Sequence, residues 1–396
     1  MKPEVMSHRQ TWILRTERTG ELDYGLLSIV LIFFGLGIVM VFSASINEGL
    51  KLDDPTYFLK RQITWTILSY LTCAAFIFID CRLLERTVKV QVWTIVVLLT
   101  LLFFPPLKEA GFVHPSRRWY RFLSLGFQPS EFAKVVLVIY LSSVLSKKGE
   151  RILDFYRGFL PPFMVTSVIA FLVFLEPDFS TAFLIFFIAI VMFFIAGIRA
   201  FSIFALFLVS IPALFLMVGG KSYRKERIVG FINPWGDPTD KGYQIIQSFK
   251  AFALGGFTGV GLGRSVQKMR YLPIPHTDFI CAIIAEELGY LGVLGVIFLY
   301  MLLAYRGYRI AYSQTERFNF FLAFGITSLI VWEAVFNISV VTGLIPSTGI
   351  SLPFLSYGGS GLLANSILMG ILLNLSRNRG RLEGLVRAPD GVEADR

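Results

Sequence analysis

Residues 24–45 read YGLLSIVLIFFGLGIVMVFSAS, a run without one charged side chain. A bilayer-spanning helix needs roughly 20 predominantly apolar residues, so this run is long enough to cross. It begins too late and runs too long for a cleaved signal peptide, and no small-residue cleavage site follows it. Working outward, comparable runs recur at 63–80, 90–106, 130–146, 159–176, 180–198, 201–219, 279–304, 318–342 and 354–375. The expected fold is an all-α polytopic membrane protein of about ten transmembrane helices. Composition agrees: of 396 residues, 55% are hydrophobic, 39 are Phe and only 16% are charged. No soluble globule could hide that much apolar side chain, and disordered chains are apolar-poor. Cys73, Cys81 and Cys281 lie in or beside apolar runs and form neither a disulfide framework nor a metal motif.

Charge orients the spans. In a soluble protein the net charge of +10 would suggest nucleic acid. In a membrane protein it reflects basic cytoplasmic loops and anionic lipid partners, and no nucleic-acid partner is expected. Lys2, Arg9, Arg15 and Arg18 precede the first span. Arg82, Arg86 and Lys89, then Lys147, Lys148, Arg151 and Arg157, then Arg306, Arg309 and Arg317, and finally Arg377, Arg379 and Arg381 follow at even-numbered spans. The positive-inside rule puts all of these, and both termini, in the cytoplasm. The expected organisation is a cytoplasmic segment 1–23, one membrane domain 24–376 and a cytoplasmic tail 377–396. A large outer loop, 220–278, separates spans seven and eight.

Two outer segments break the charge bias. Residues 107–129 hold Lys108, Arg117, Arg118 and Arg121, and residues 220–278 hold nine Lys and Arg, among them Arg227, Lys250 and Lys268. They serve either anionic headgroups or an anionic substrate. Within the long loop, GYQIIQSFKAFAL spaces Ile245, Phe249 and Phe252 as an amphipathic interfacial helix. GGFTGVGLG follows. A nucleotide-binding loop would need a preceding strand in a βαβ unit. Among membrane helices, a tight, close-packed re-entrant or surface loop is expected instead.

The loop ends in HTDF. Asp278 then stands at the start of span eight, as a helix cap, a general base or a ligand of a divalent cation. Thr277 could cap in its place. His276 is nearby and reads as a structural hydrogen-bonder. Glu286 and Glu287 lie inside span eight; on an unbroken helix, Glu286 falls about 80° from Asp278 and Glu287 on the opposite face. A charge near the bilayer centre costs about 2.5–3.5 kcal/mol on insertion scales, so at least one should face a partner. Glu333 and Asn337 sit one turn apart on span nine, either as a polar clamp between helices or on a proton or substrate path. QPSEFAK opens span four, with Ser130 as N-cap, Glu131 in the first turn and Lys134 one turn in. EPDFST places Glu176 and Asp178 outside. GLIPSTGISLPFLSYGGSG, residues 343–361, carries two prolines and Ser360, and suggests a broken helix, tolerated only where backbone is buried or lines a cavity. Together these elements suggest an outward-facing cavity.

In RRWYRFLSLGFQPSEFAK, EPDFSTA, NPWGDP…GYQIIQS, GVGLGRSVQKMRYLP, PHTDFICAIIAEELGYLG and NISVVTGLIPSTGISLPFLSYGGSG, the chain resembles the SEDS family of FtsW, RodA and SpoVE. It is most similar to the FtsW cell-division branch. The stretches follow in family order over nearly the whole chain. Ser180, where the family usually has Gly, and Gly361, where a second Ser is common, depart from it.

The resemblance implies a peptidoglycan glycosyltransferase that polymerises lipid II at the outer face of the bacterial cytoplasmic membrane, at the division septum, releasing undecaprenyl diphosphate. It implies Asp278 as the catalytic residue. Candidate substrate contacts are Lys268, Arg117, Arg118, Lys134, Arg227 and His276, with Glu131, Glu286, Glu287, Glu333, Asn337 and Ser360 as intramembrane polar structure. A divalent cation (Mg or Mn) on Asp278 is the one cofactor considered; no organic cofactor is expected. Expected partners are lipid II, a cognate class B penicillin-binding protein, other division proteins and membrane lipids. The alternatives are a lipid-linked precursor flippase using the intramembrane carboxylates, an elongation-type polymerase like RodA, or a scaffold for a transpeptidase.

Overall fold

The structure, a computed structural model, describes residues 21–114, 118–122, 125–176, 178–198, 229–240, 242–269 and 271–377. The chain is mostly helical. In order come α1 (Tyr24–Leu50), α2 (Tyr57–Phe78), α3 (Cys81–Arg86), α4 (Val88–Leu101), α5 (Pro105–Glu109), α6 (Pro129–Lys148), α7 (Leu160–Leu175), α8 (Phe179–Ile195), α9 (Tyr243–Gly255), α10 (Ile280–Tyr312), α11 (Arg317–Val341) and α12 (Gly359–Ser376). Helices thus occupy nine of the expected span positions; the remaining one, 201–219, lies outside the described residues. Among the described residues six helices are long and apolar enough to cross a membrane: α1, α6, α7 extended back to Phe155, α10, α11 and α12. The apolar α4 and α8 are shorter.

These helices are apolar nearly all round, as a membrane span must be. Leu31 and Ile32 on α1, Phe171 on α7, and Phe298 and Met301 on α10 stay exposed, facing where lipid would lie. The inward faces share one core, including Phe33, Met40, Leu137, Leu141, Ile188, Leu329 and Leu372.

One end of the bundle is tied by ion pairs and caps. Asp23 caps α1 through Leu26 N–H at 2.9 Å, and accepts from Arg306 at 2.7 Å. Its own N–H donates to Ser376 Oγ at 3.1 Å. Arg82 meets Glu316 at 3.1 Å and Lys147 meets Glu85 at 3.0 Å. The start of α1 therefore shares this end with the ends of α6, α10 and α12. The opposite end gathers the end of α1, the starts of α6, α8, α10 and α12, and the end of α11.

Three features differ from the expected plain spans. Residues 120–122 and 125–127 pair as an antiparallel hairpin, β1 (Tyr120–Phe122) with β2 (Leu125–Phe127), Tyr120 opposite Phe127, so the fold is not purely helical. α12 begins at Gly359, not near 354, because Phe354 takes φ 65°, outside helical space. The preceding segment dips into the bundle: the Phe354 ring lies 5.6 Å from both Phe33 and Phe34 of α1, and Tyr300 donates to the Pro353 carbonyl at 2.5 Å. Finally, α10 is interrupted at Gly289, at φ 70° and ψ −167°, a region open essentially only to glycine.

That interruption explains the glycine-rich loop. Around Gly289 the helix opens its backbone to residues 256–261. Val260 and Gly261 N–H donate to Glu286 and Glu287 carbonyls at 3.0 Å each; Tyr290 and Leu291 N–H donate to Gly256 and Phe257 carbonyls at 3.0 and 3.2 Å. A Cβ on Gly255, Gly259 or Gly289 would strike backbone atoms of the facing segment. The close-packed loop expected from GGFTGVGLG is thus present, and the helix break satisfies it.

Candidate active site

The short elements at the second end build on one another. Pro129 opens α6 with Gln128, not Ser130, as its N-cap residue. Ser130 Oγ turns instead to Asp178 Oδ2 at 3.4 Å, beside Gln128 Nε2 at 3.2 Å. Asp178 caps α8 through Thr181 N–H at 3.2 Å. Two residues on, Ser180 Oγ donates to the Thr348 carbonyl in a short bond. That binds α8 to the irregular segment 343–358. Ser360, 1% exposed, accepts from Gln128 N–H at 3.0 Å and donates to the Gly126 carbonyl at 3.3 Å, joining α12 to the hairpin.

Asp278 lies at this junction, half-buried, in the turn before α10. It is not the helix cap: Phe279 holds that position, and no side chain caps there. A Cβ on Gly349 would stand 3.4 Å from Asp278 Oδ2, so the carboxylate abuts a glycine of the irregular segment. The Asp278 carbonyl accepts from Asn337 Nδ2 at 2.8 Å, and the same amide donates to the Ile350 carbonyl at 2.7 Å. Asn337 is thus a polar clamp between segments.

His276 is buried, its ring 4.7 Å from Phe58 and 5.4 Å from Tyr357. Its Nδ1 has no hydrogen-bond partner among the described residues. Burial pulls its pKa down to about 4, against a small opposing pull from Glu48, so the ring is neutral and packs as an aromatic. Glu176, just past α7, is buried without a hydrogen-bond partner for its carboxyl among the described residues. Burial, then the Asp178 carboxylate, push it up to about 9, and Arg118 opposes them. Arg118 Nε donates to the Glu176 carbonyl at 2.9 Å. Of the other basic candidates, Arg117 and Arg227 lie outside the described residues.

Two candidate lysines are taken up by carboxylates. Lys134 Nζ sits 2.8 Å from Glu131 and 2.6 Å from Glu333, joining α6 to α11. Lys268 Nζ sits 2.6 Å from Glu287 and 2.9 Å from Ser43 Oγ, joining the outer loop to α10 and α1. Both lysines are buried. Glu286 receives Val266 N–H at 2.7 Å, Gln267 N–H at 3.2 Å and the Ser265 hydroxyl in a short bond. Both glutamates, neighbours on α10 about 100° apart, hold the same loop. The sequence showed these charges but not their partners. It missed Ser43, Ser265, Gly349 and Ser356 as well; their one signal was small or hydroxyl residues in irregular segments or inside an apolar span.

Among the described residues no group of three or more His, Cys, Asp or Glu converges to hold a metal ion.

A family model described as cell cycle protein, which joins FtsW, RodA and SpoVE, matches residues 24–381. The chain is similar to the probable peptidoglycan glycosyltransferase FtsW of Geobacter sulfurreducens, 41% identical over 360 residues, covering 91% of this chain and 95% of that protein. It is similar to stage V sporulation protein E of Bacillus subtilis, 38% identical over 366 residues, covering 92% of this chain and 99% of that protein. Among solved structures it is similar to a chain of a peptidoglycan synthase complex that coordinates polymerization and crosslinking. That likeness has 29% identity and a TM-score of 0.71, over 91% of this chain and 99% of that one.

Proposed function

This chain belongs to the cell cycle protein family of FtsW, RodA and SpoVE, the SEDS family, and from that membership we propose that it is a peptidoglycan glycosyltransferase of the FtsW type, serving septal cell-wall synthesis. It is a multi-pass membrane protein. The ten-helix count, with both termini cytoplasmic and 220–278 outside, is supported by helices at nine of the expected positions and by the charge bias. On that orientation, 1–23 and 377–396 are cytoplasmic and the Asp278 end faces out, in the bacterial cytoplasmic membrane.

The substrate is lipid II. A sugar hydroxyl of one chain attacks the anomeric carbon of another; the new carbon–oxygen bond forms as the bond to the lipid diphosphate breaks. The hydroxyl proton passes to the Asp278 carboxylate as general base. Undecaprenyl diphosphate leaves with the bonding electrons, and outer basic residues, Arg118 with Arg117 and Arg227, offset its growing charge. Lys134, Lys268 and His276 serve the substrate through the segments they hold in place. Asp278 would be the ligand of a divalent cation carried in by the diphosphate, and a Mg and Mn series in the assay tests for one. A class B penicillin-binding protein is the expected partner, in line with the synthase complex that this chain resembles.

The observation that carries the assignment is a half-buried carboxylate, Asp278, set outside any helix and against Gly349, where the turn before α10 meets α11 and the irregular segment 343–358. Purified protein given lipid II should yield glycan polymer, and Asp278→Asn should yield none. No polymer from the unaltered protein under any divalent cation, with the partner transpeptidase present, would sink the assignment.

A further inference from the structure

The turn that presents Asp278 is held by its carbonyls. Three consecutive ones are taken by three donors from distant segments. Tyr357 N–H donates to the His276 carbonyl at 2.8 Å. Ser356 Oγ donates to the Thr277 carbonyl at 2.7 Å. Asn337 Nδ2 donates to the Asp278 carbonyl at 2.8 Å. The two side-chain donors are fixed in turn. Asn337 is buried on α11 and spends its other amide hydrogen on Ile350, at 2.7 Å. Ser356 is buried and accepts from Leu352 N–H at 2.8 Å.

We propose that Asn337 and Ser356 are positioning residues, which fix the Asp278 carboxylate in register with Gly349 for proton abstraction. The proposal rests on Asp278 being the general base. An active-site group must be held to within about 0.5 Å, by neighbours that are themselves locked. Here the turn lies before the regular helix, so these bonds between distant segments take over what helical hydrogen bonds do elsewhere. The same two side chains also bond to residues 350–352, next to Gly349. They therefore set the carboxylate and the wall beside it as one unit. A displacement of about 1 Å can cost ~10²-fold in rate. Since a positioning residue acts through Asp278, the loss should appear in kcat and not in KM.

The test compares Ser356→Ala, Ser356→Thr, Asn337→Leu and Asp278→Asn in lipid II polymerisation, with melting temperature followed in parallel. The expected result is a kcat lower by about 10-fold in Ser356→Ala and ~10²-fold in Asn337→Leu, with KM held within about twofold. Ser356→Thr, which keeps the hydroxyl, should recover most of the loss. A raised KM with unchanged kcat, or no recovery with Thr, overturns the proposal. If Asn337→Leu does not fold, the Ser356 pair decides alone. Asp278→Asn inactive while Ser356→Ala and Asn337→Leu keep full kcat refutes the positioning role only. Asp278→Asn fully active refutes the base assignment, and the positioning role with it.

Discussion

Lys268 Nζ and Glu287 Oε1 lie 2.6 Å apart with 2% and 0% of their side chains exposed, a full ion pair sealed between the outer loop and α10. Ser43 Oγ of α1 bonds to both. Removing one partner leaves a bare charge in a poor solvent, at a cost of about 3–5 kcal/mol. Replacing both with apolar groups of similar size removes that penalty. Lys268→Met and Glu287→Leu should each lower the melting temperature in detergent sharply, and the double variant should recover part of the loss. Additive losses in the double variant would show that the pair is not coupled.

Glu286 presents acceptors to two N–H groups and a hydroxyl of residues 265–267. Glu286→Gln would turn one oxygen into a donor facing those donors. The expected outcome is faster protease cleavage within 255–270, with helix content unchanged. Cleavage at the rate of the unaltered protein would contradict the staple. A transport path through Glu286 has to contend with this engagement.

Gly289 occupies backbone space that only glycine enters easily, and a Cβ there would strike Gly259 and Phe257 backbone. Gly289→Ala should abolish accumulation of folded protein. Gly295→Ala, six residues on in the same helix with open space around it, should be silent. Equal yields of the two, measured by size-exclusion of detergent extracts, would refute the close approach.

Glu176 carries a folded-state pKa of about 9, against 4.5 for an ordinary glutamate. The folded protein holds the proton more tightly than the unfolded chain does. This contribution to stability is therefore full below about 4.5 and is lost as pH rises toward 9. Melting temperature should fall between those limits in the unaltered protein and fall less in Glu176→Gln, so the gap widens with pH. Parallel profiles would rule out a buried, protonated Glu176.

The spans were legible because each is a long apolar run, and a backbone in lipid has few alternatives to a helix. Asp278 was legible as a carboxylate at the edge of an apolar run. Its neighbours were not. Which lysine meets which glutamate depends on how helices far apart in sequence are rotated, and periodicity within one helix says nothing about that. The angles drawn from Asp278 to Glu286 and Glu287 assumed that Asp278 sits in the helix, whereas it precedes it. Ser130 looked like a cap because Ser often is one, but Pro129 moved the helix start and freed the hydroxyl for Asp178. The pairing of 120–122 with 125–127 and the break at Gly289 lacked any apolar-run signal.

The backbone exchange at Gly289 also moves a boundary that matters to anyone recombining these proteins. Glu286 and Glu287 are hydrogen-bonded to residues 260–267, Glu286 through both main chain and side chain, so the second turn of α10 is tied to the loop that precedes it. A chimera that exchanged the outer loop of one relative for another and cut at the start of α10 would sever a continuous seam. The seam stays whole only if the graft carries Glu286, Glu287 and Gly289 along with the loop.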